Sequence, residues 1–171
     1  MGEQPRTSVG VDEFSEFVDG LDYPLHVVTT VHEGERSGCL VGFTTQVSID
    51  PPRMLVCISE KNHTHGLAKD AELFGVHVLS PDQTSLAALF GEETGDETDK
   101  FARCSWHAGP GDVPVLDDVP RHMVGRVLER IPLGDHLGLL LDPVETSVRR
   151  GPVAYSLRDA EDADMEPGHS A

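Results

Sequence analysis

The chain is 171 residues long and 38% apolar, a size and composition that suit one domain with a substantial core. Its 30 acidic and 13 basic residues leave a formal charge of −17, which opposes binding to nucleic acid or to an anionic membrane surface. No stretch offers the roughly 18 to 20 apolar residues of a membrane-spanning helix, and residues 1–20 hold no apolar run of the signal-peptide kind, so the expected location is cytoplasmic.

Asp12 to Gly20 sets Phe14, Phe17 and Val18 at helical spacing, with acids near the start and a glycine at the end, which predicts a short helix. Leu25 to Val31 and Gly38 to Ile49 are rich in β-branched residues and flank Glu33-Gly34-Glu35, which predicts a hairpin. Asp50-Pro51-Pro52 ends it, and Met54 to Ser59 is the next strand, too short and too apolar for a surface helix. A short helix over His63 to Glu72, a strand over Phe74 to Leu79 and a helix over Pro81 to Phe90 follow. The acidic run Glu92 to Asp99 reads as a solvated loop, after which strands are expected over Arg121 to Arg130, Asp135 to Leu141 and Val144 to Arg149. Short strands with two or three helices and no internal repeat predict a mainly β fold, a barrel with helical insertions. Residues 1–20 form an N-terminal extension, 21–157 the barrel domain and 158–171 an acidic, flexible tail. Cys39, Cys57 and Cys104 are odd in number and far apart, which favours buried thiols over a disulfide framework.

Asn62-His63-Thr64 opens the helix after the Met54 to Ser59 strand, where unpaired backbone N–H groups and the helix dipole favour an anion such as phosphate. An ordinary N-cap uses the same residues. His63 and His65 diverge at a helix start and lack a third ligand, so no metal is expected. The triplet also matches a glycosylation sequon, which is idle without secretion.

Several segments arrive in a telling order between Tyr23 and Tyr155: Val27-Val28-Thr29-Thr30, Ser48-Ile49-Asp50-Pro51-Pro52, Phe74-Gly75-Val76-His77-Val78-Leu79-Ser80 with Gln83, Asp99-Lys100-Phe101 with Trp106, Pro114-Val115-Leu116-Asp117 and Gly134-Asp135-His136. Together they resemble the flavin reductase-like family of FMN-binding split barrels. The resemblance implies a split β-barrel with two or three short helices, FMN or FAD as cofactor, NAD(P)H as reductant, a homodimer, and an oxygenase partner of the two-component monooxygenase kind. It lays Leu40, Val41, Gly42, Phe43, Thr44, Thr45, Gln46 and Ser48 along the flavin, with Gly42 allowing close backbone approach. Many relatives carry T-A-N-S where this chain has Leu40-Val41-Gly42-Phe43, which leaves backbone contacts in place of side-chain ones. Asn62, His63 and Thr64 fall at the family's phosphate cap, Lys100 and Phe101 at a flavin-adjacent position, and His136 on the nicotinamide side as the catalytic residue. Gly151-Pro152-Val153-Ala154-Tyr155 keeps a trace of the family's C-terminal motif, and Arg149 and Arg150 meet either a phosphate or strand-end carboxylates. The alternative within the wider superfamily is a non-enzymatic flavin, deazaflavin or haem binder.

Overall fold

A computed structural model describes residues 8–93, 98–149 and 155–165. Chain order is α1 (Val11–Val18), β1 (His26–His32), β2 (Glu35–Val41), β3 (Thr44–Ser48), β4 (Arg53–Ser59), α2 (His63–Ala68), β5 (Leu73–Val78), α3 (Thr84–Gly91), β6 (Trp106–Ala108), β7 (Pro114–Leu116), β8 (Arg121–Leu133), β9 (His136–Val148) and α4 (Leu157–Asp162). Lys100–Arg103 and Pro110–Asp112 add two short 3-10 turns. The main sheet is antiparallel in the order β2-β1-β5-β8-β9-β4-β3, and β6 with β7 makes a separate small hairpin.

β2 and β3 are the two outer strands of this sheet, yet only Gly42 and Phe43 separate them. Six flat inter-strand gaps would hold the edges roughly 29 Å apart, whereas the three Cα–Cα steps from Val41 to Thr44 span at most about 11 Å. The sheet therefore rolls up until its edges meet, which makes a barrel with its seam at Gly42-Phe43.

The expected single strand Gly38 to Ile49 is thus two strands, broken where the chain passes from one edge to the other. The two strands expected on either side of Pro143 are one, β9: the register slips there between Val124 and Gly125 of β8, and proline is tolerated at such a bulge. α3 starts at Thr84, after a turn that holds Pro81. α4 straddles the expected boundary between barrel and tail, with a capping box in which Ser156 and Asp159 satisfy each other's backbone N–H groups. Arg150, the Gly151 to Ala154 trace and residues 94–97 of the acidic run lie outside the described residues.

Two apolar clusters fill the interior: Val28, Val56, Ile58, Phe74 and Leu139 inside the barrel, and Val27, Leu79, Phe90, Leu116 and Tyr155 between the barrel, α3 and the β6-β7 hairpin. His77, fully buried in β5, fixes that hairpin to the sheet. Its Nδ1–H donates to the Val27 carbonyl at 3.0 Å, and its Nε2 accepts from the Leu116 N–H at 3.1 Å. Both bonds require neutral imidazole, and burial pushes its pKa down to about 3, assisted by His122, His107 and His26 and opposed by the bond to Val27. Beside it, a Cβ on Gly75 would stand 2.5 Å from the Thr29 hydroxyl, which itself donates to the Pro114 carbonyl. The hairpin can dock only over glycine at that place.

An unfolded histidine with pKa near 6.5 takes up a proton that folded His77 refuses down to pH about 3. Its stabilisation is complete above pH about 6.5 and is lost as the pH falls through that window. On going from pH about 7.5 to about 5, wild type should lose about 2 kcal/mol more stability than His77→Asn, whose amide retains one donor and one acceptor. Urea denaturation at the two pH values measures this, and parallel losses would contradict it.

Candidate functional site

A cavity of about 640 Å³ opens at the seam of the barrel. Its wall is Cys39 to Phe43, the end of β2 and its crossing to β3; its far side is Cys57 and Ser59 of β4, then Asn62 and His136. α1, the segment to Tyr23, and Leu157, Arg158 and Glu161 of α4 close the remaining side. Cys57 and Ser59 share a face of β4 because side chains alternate, and Ser59 pairs with His136 across the ladder.

The Gly-Asp-His segment is a two-residue hairpin turn between Leu133 and His136, with Gly134 first at φ 75°. Only glycine adopts that conformation without strain, as a II′-type turn requires. The Asp135 carbonyl accepts from the Glu60 N–H at 2.9 Å, which ties the turn to the loop before α2. The Asp135 carboxylate accepts from His136 Nδ1 at 2.7 Å, a bond that holds the carboxyl below its ordinary pKa. Nε2 is left as the other polar atom of the ring. The ring also packs on Phe43 at 5.1 Å between centroids, and Phe43 meets Tyr23 edge-on at 6.2 Å and 83°.

Of the residues expected at the flavin, the cavity gathers Leu40, Val41, Gly42, Phe43, Asn62 and His136. Thr44, Thr45, Gln46 and Ser48 lie along outer strand β3 instead. Thr44 is within 2.9 Å of His26 Nδ1, the Thr45 hydroxyl turns to the Gln46 carbonyl, and the Gln46 amide donates to the Ser48 carbonyl. The Thr64 hydroxyl, expected at a phosphate, is buried against Ser37 Oγ at 2.8 Å, and its N–H donates to Asn62 Oδ1. This is N-capping of α2, whose other end Arg130 caps by donating to the Ala68 and Ala71 carbonyls. His63 Nε2 lies 3.1 Å from Glu35.

Lys100 and Phe101 are core residues rather than cavity residues. The Lys100 ammonium, 5% exposed, donates to the Gly38 and Phe90 carbonyls, and desolvation lowers its pKa. Phe101 is sandwiched between Phe90 and Trp106. Arg149 donates to the Asp117 carbonyl. Sequence reasoning missed Tyr23, Cys57 and Arg158 with its helix as part of the cavity. The S-x-x-D capping pattern at Ser156 was the available signal for that helix.

Size and largely apolar walls suit a planar ring system. Phe43, 53% exposed, offers such a ring an aromatic face. No group of three or more metal-binding side chains occurs among the described residues.

If Thr64 serves α2 and β2 rather than a ligand, Thr64→Val should cost about 1–3 kcal/mol of stability by orphaning the Ser37 hydroxyl. Flavin affinity at matched folded fraction should stay within about twofold. Urea titration with flavin-fluorescence binding checks both, and a selective loss of binding would return Thr64 to the site.

Comparison with known proteins agrees with this geometry. The chain is 29% identical over 144 residues to the reductase component of 4-nitrophenol 4-monooxygenase/4-nitrocatechol 2-monooxygenase of Rhodococcus opacus, covering 84% of this chain and 76% of that one. It is 26% identical to the FMN reductase (NADH) RutF of Pseudomonas syringae pv. syringae strain B728a, covering 86% and 82%. The crystal structure of a flavin reductase domain protein from Arthrobacter sp. FB24 superposes with a TM-score of 0.77 over 85% of this chain and 89% of that one; at 21% identity the likeness is one of fold. The sequence pattern of the flavin reductase like domain matches residues 18–162, all of the barrel and all of the cavity lining but Ser15, and the chain belongs to that family.

Proposed function

We propose that the chain is an NAD(P)H-dependent flavin reductase that reduces FMN, and also FAD, and hands the reduced flavin to an oxygenase component. One observation carries the reading: the Gly134-Asp135 turn delivers His136 to the same cavity that Leu40 to Phe43 line. Bound flavin supplies a two-electron acceptor, and hydride transfer needs no general base from the protein. The protein's contribution is orientation and dryness. Leu40, Val41 and Phe43 exclude water from one side, while Asp135 and Phe43 fix the imidazole so that Nε2 can hold a carboxamide in register. The oxygenase partner is supported by the Rhodococcus relative, itself a reductase component.

A cytoplasmic location agrees with Cys39, Cys57 and Cys104 all being free thiols. A homodimer agrees with the apolar area left uncovered on one chain: Phe14 and Phe17 on α1 are 55% and 75% exposed, and Val47 and Ile49 beside the outer strand are 49% and 85% exposed. Sedimentation should give twice the 18.5 kDa chain mass at micromolar concentration, and a monomer with flavin bound would contradict it.

Anaerobic mixing of the protein with FMN and NADH or NADPH should bleach the flavin's visible absorbance. Tight binding without bleaching would instead identify a flavin-binding module. His136→Ala should leave the FMN Kd within about threefold yet slow reduction about tenfold, one positioning contact of about 1.4 kcal/mol. Stopped-flow reduction at matched flavin occupancy measures it, and an unchanged rate would remove His136 from the mechanism.

A further inference from the structure

We propose, resting on the flavin-reductase reading, that this site holds its flavin by the ring and not by the phosphate, so that riboflavin, FMN and FAD are bound with nearly equal affinity.

The ring side is built. Phe43 presents a half-exposed aromatic face to the cavity, and its backbone is anchored on both sides: its carbonyl accepts from the Cys57 N–H at 2.9 Å, and the Gly42 carbonyl accepts from the Thr44 N–H at 3.1 Å. Tyr23 stands edge-on to it, held by its own carbonyl accepting from the Leu157 N–H at 2.8 Å, and His136 packs against it from β9. Tyr23, at 83° to it, and His136, at 48°, therefore fix the orientation of the Phe43 ring before any ligand arrives, and preorganisation of that kind lowers the ordering cost of binding.

Among the described residues, the cavity offers a phosphate few donors. Thr64 Oγ1 is committed to Ser37, and the Asn62 side chain is oriented by its Oδ1 accepting from the Thr64 N–H, which leaves its amide NH2 as the one side-chain donor of that cap still to spare. The α4 backbone is likewise taken: the Arg158 N–H donates to Asp22 Oδ1, and Ser156 caps the next residue. Among the described residues that line the cavity, the charged groups are Asp19, Asp22 and Glu161 against Arg158. A phosphate dianion entering that end meets more negative than positive charge, inside a chain of net charge −17. Its hydration is a better partner than the site, so the phosphate stays in solvent and adds little to affinity. The same holds for the adenylate of FAD.

Titration of the purified full chain with riboflavin, FMN and FAD, followed by flavin fluorescence at low and high salt, tests this. The three Kd values should agree within about threefold, and FMN binding should not weaken as salt rises, since screening removes repulsion rather than attraction. Phe43→Leu should weaken all three flavins by a common factor of about ten, and Phe43→Trp should restore them. Phe43 is half exposed, so neither change empties the core, and an unchanged thermal melt confirms the fold. Glu161→Gln should favour FMN over riboflavin relative to wild type. Riboflavin bound more than about tenfold more weakly than FMN, with FMN affinity falling steeply with salt, would overturn the proposal, as would Phe43→Leu binding like wild type. Wild type that binds none of the three flavins would overturn the flavin-reductase reading itself, and this proposal with it.

Discussion

The constraint on which this structure depends is the two-residue passage Gly42-Phe43 between the outer strands of a seven-stranded sheet. A flat sheet cannot satisfy so short a link, so the sheet must close on itself, and the residues that make the closure become the wall of the opening left at the seam. Fold and site are therefore one problem in this chain. Phe43 sits at the junction, anchored by Cys57 and packed on Tyr23 and His136, which explains how a half-exposed aromatic keeps a defined plane at the edge of a cavity. Anything that loosens the closure loosens the binding surface as well.

The residues around the seam that look functional in sequence are in large part its structural fixings. Lys100 ties Gly38 of β2 to the last turn of α3, Thr64 ties β2 to α2 through Ser37, and Arg130 of β8 holds the far end of α2. Each satisfies backbone or hydroxyl groups that would otherwise be buried without partners, and an orphaned group of that kind costs about 1–3 kcal/mol. Buried cations with carbonyl partners, such as Lys100, stabilise helix ends but contribute no charge to the cavity. The cavity's own charge comes from α4 and the segment between α1 and β1, elements added around the barrel, and it is predominantly acidic.

The fold was legible because its motifs have local physical causes. Gly134 marks a turn that needs positive φ, Glu33-Gly34 does the same between β1 and β2, and a short continuous apolar run marks β4. The break at Gly42-Phe43 was not legible, since a β-branched run carries no signal of which sheet edge it joins. Nor was the fusion across Pro143, because a proline excluded from a regular strand is permitted at a bulge that only the pairing register reveals. At the site, His136 and the Leu40 to Phe43 wall could be read from their motifs. The burial of Thr64 and Lys100 could not: a hydroxyl or ammonium looks the same in sequence whether it meets a ligand or a carbonyl far away along the chain.

The seam of the barrel is proposed to receive the flavin ring, and a crystal structure of the protein with bound flavin decides it. The isoalloxazine should lie within about 4 Å of the Phe43 ring, between the Leu40 to Phe43 wall and His136, with its ribityl phosphate turned toward solvent. A ring seated elsewhere, along Thr44 to Ser48 or against Lys100 and Trp106, or a phosphate gripped by Asn62 and Thr64, would contradict it.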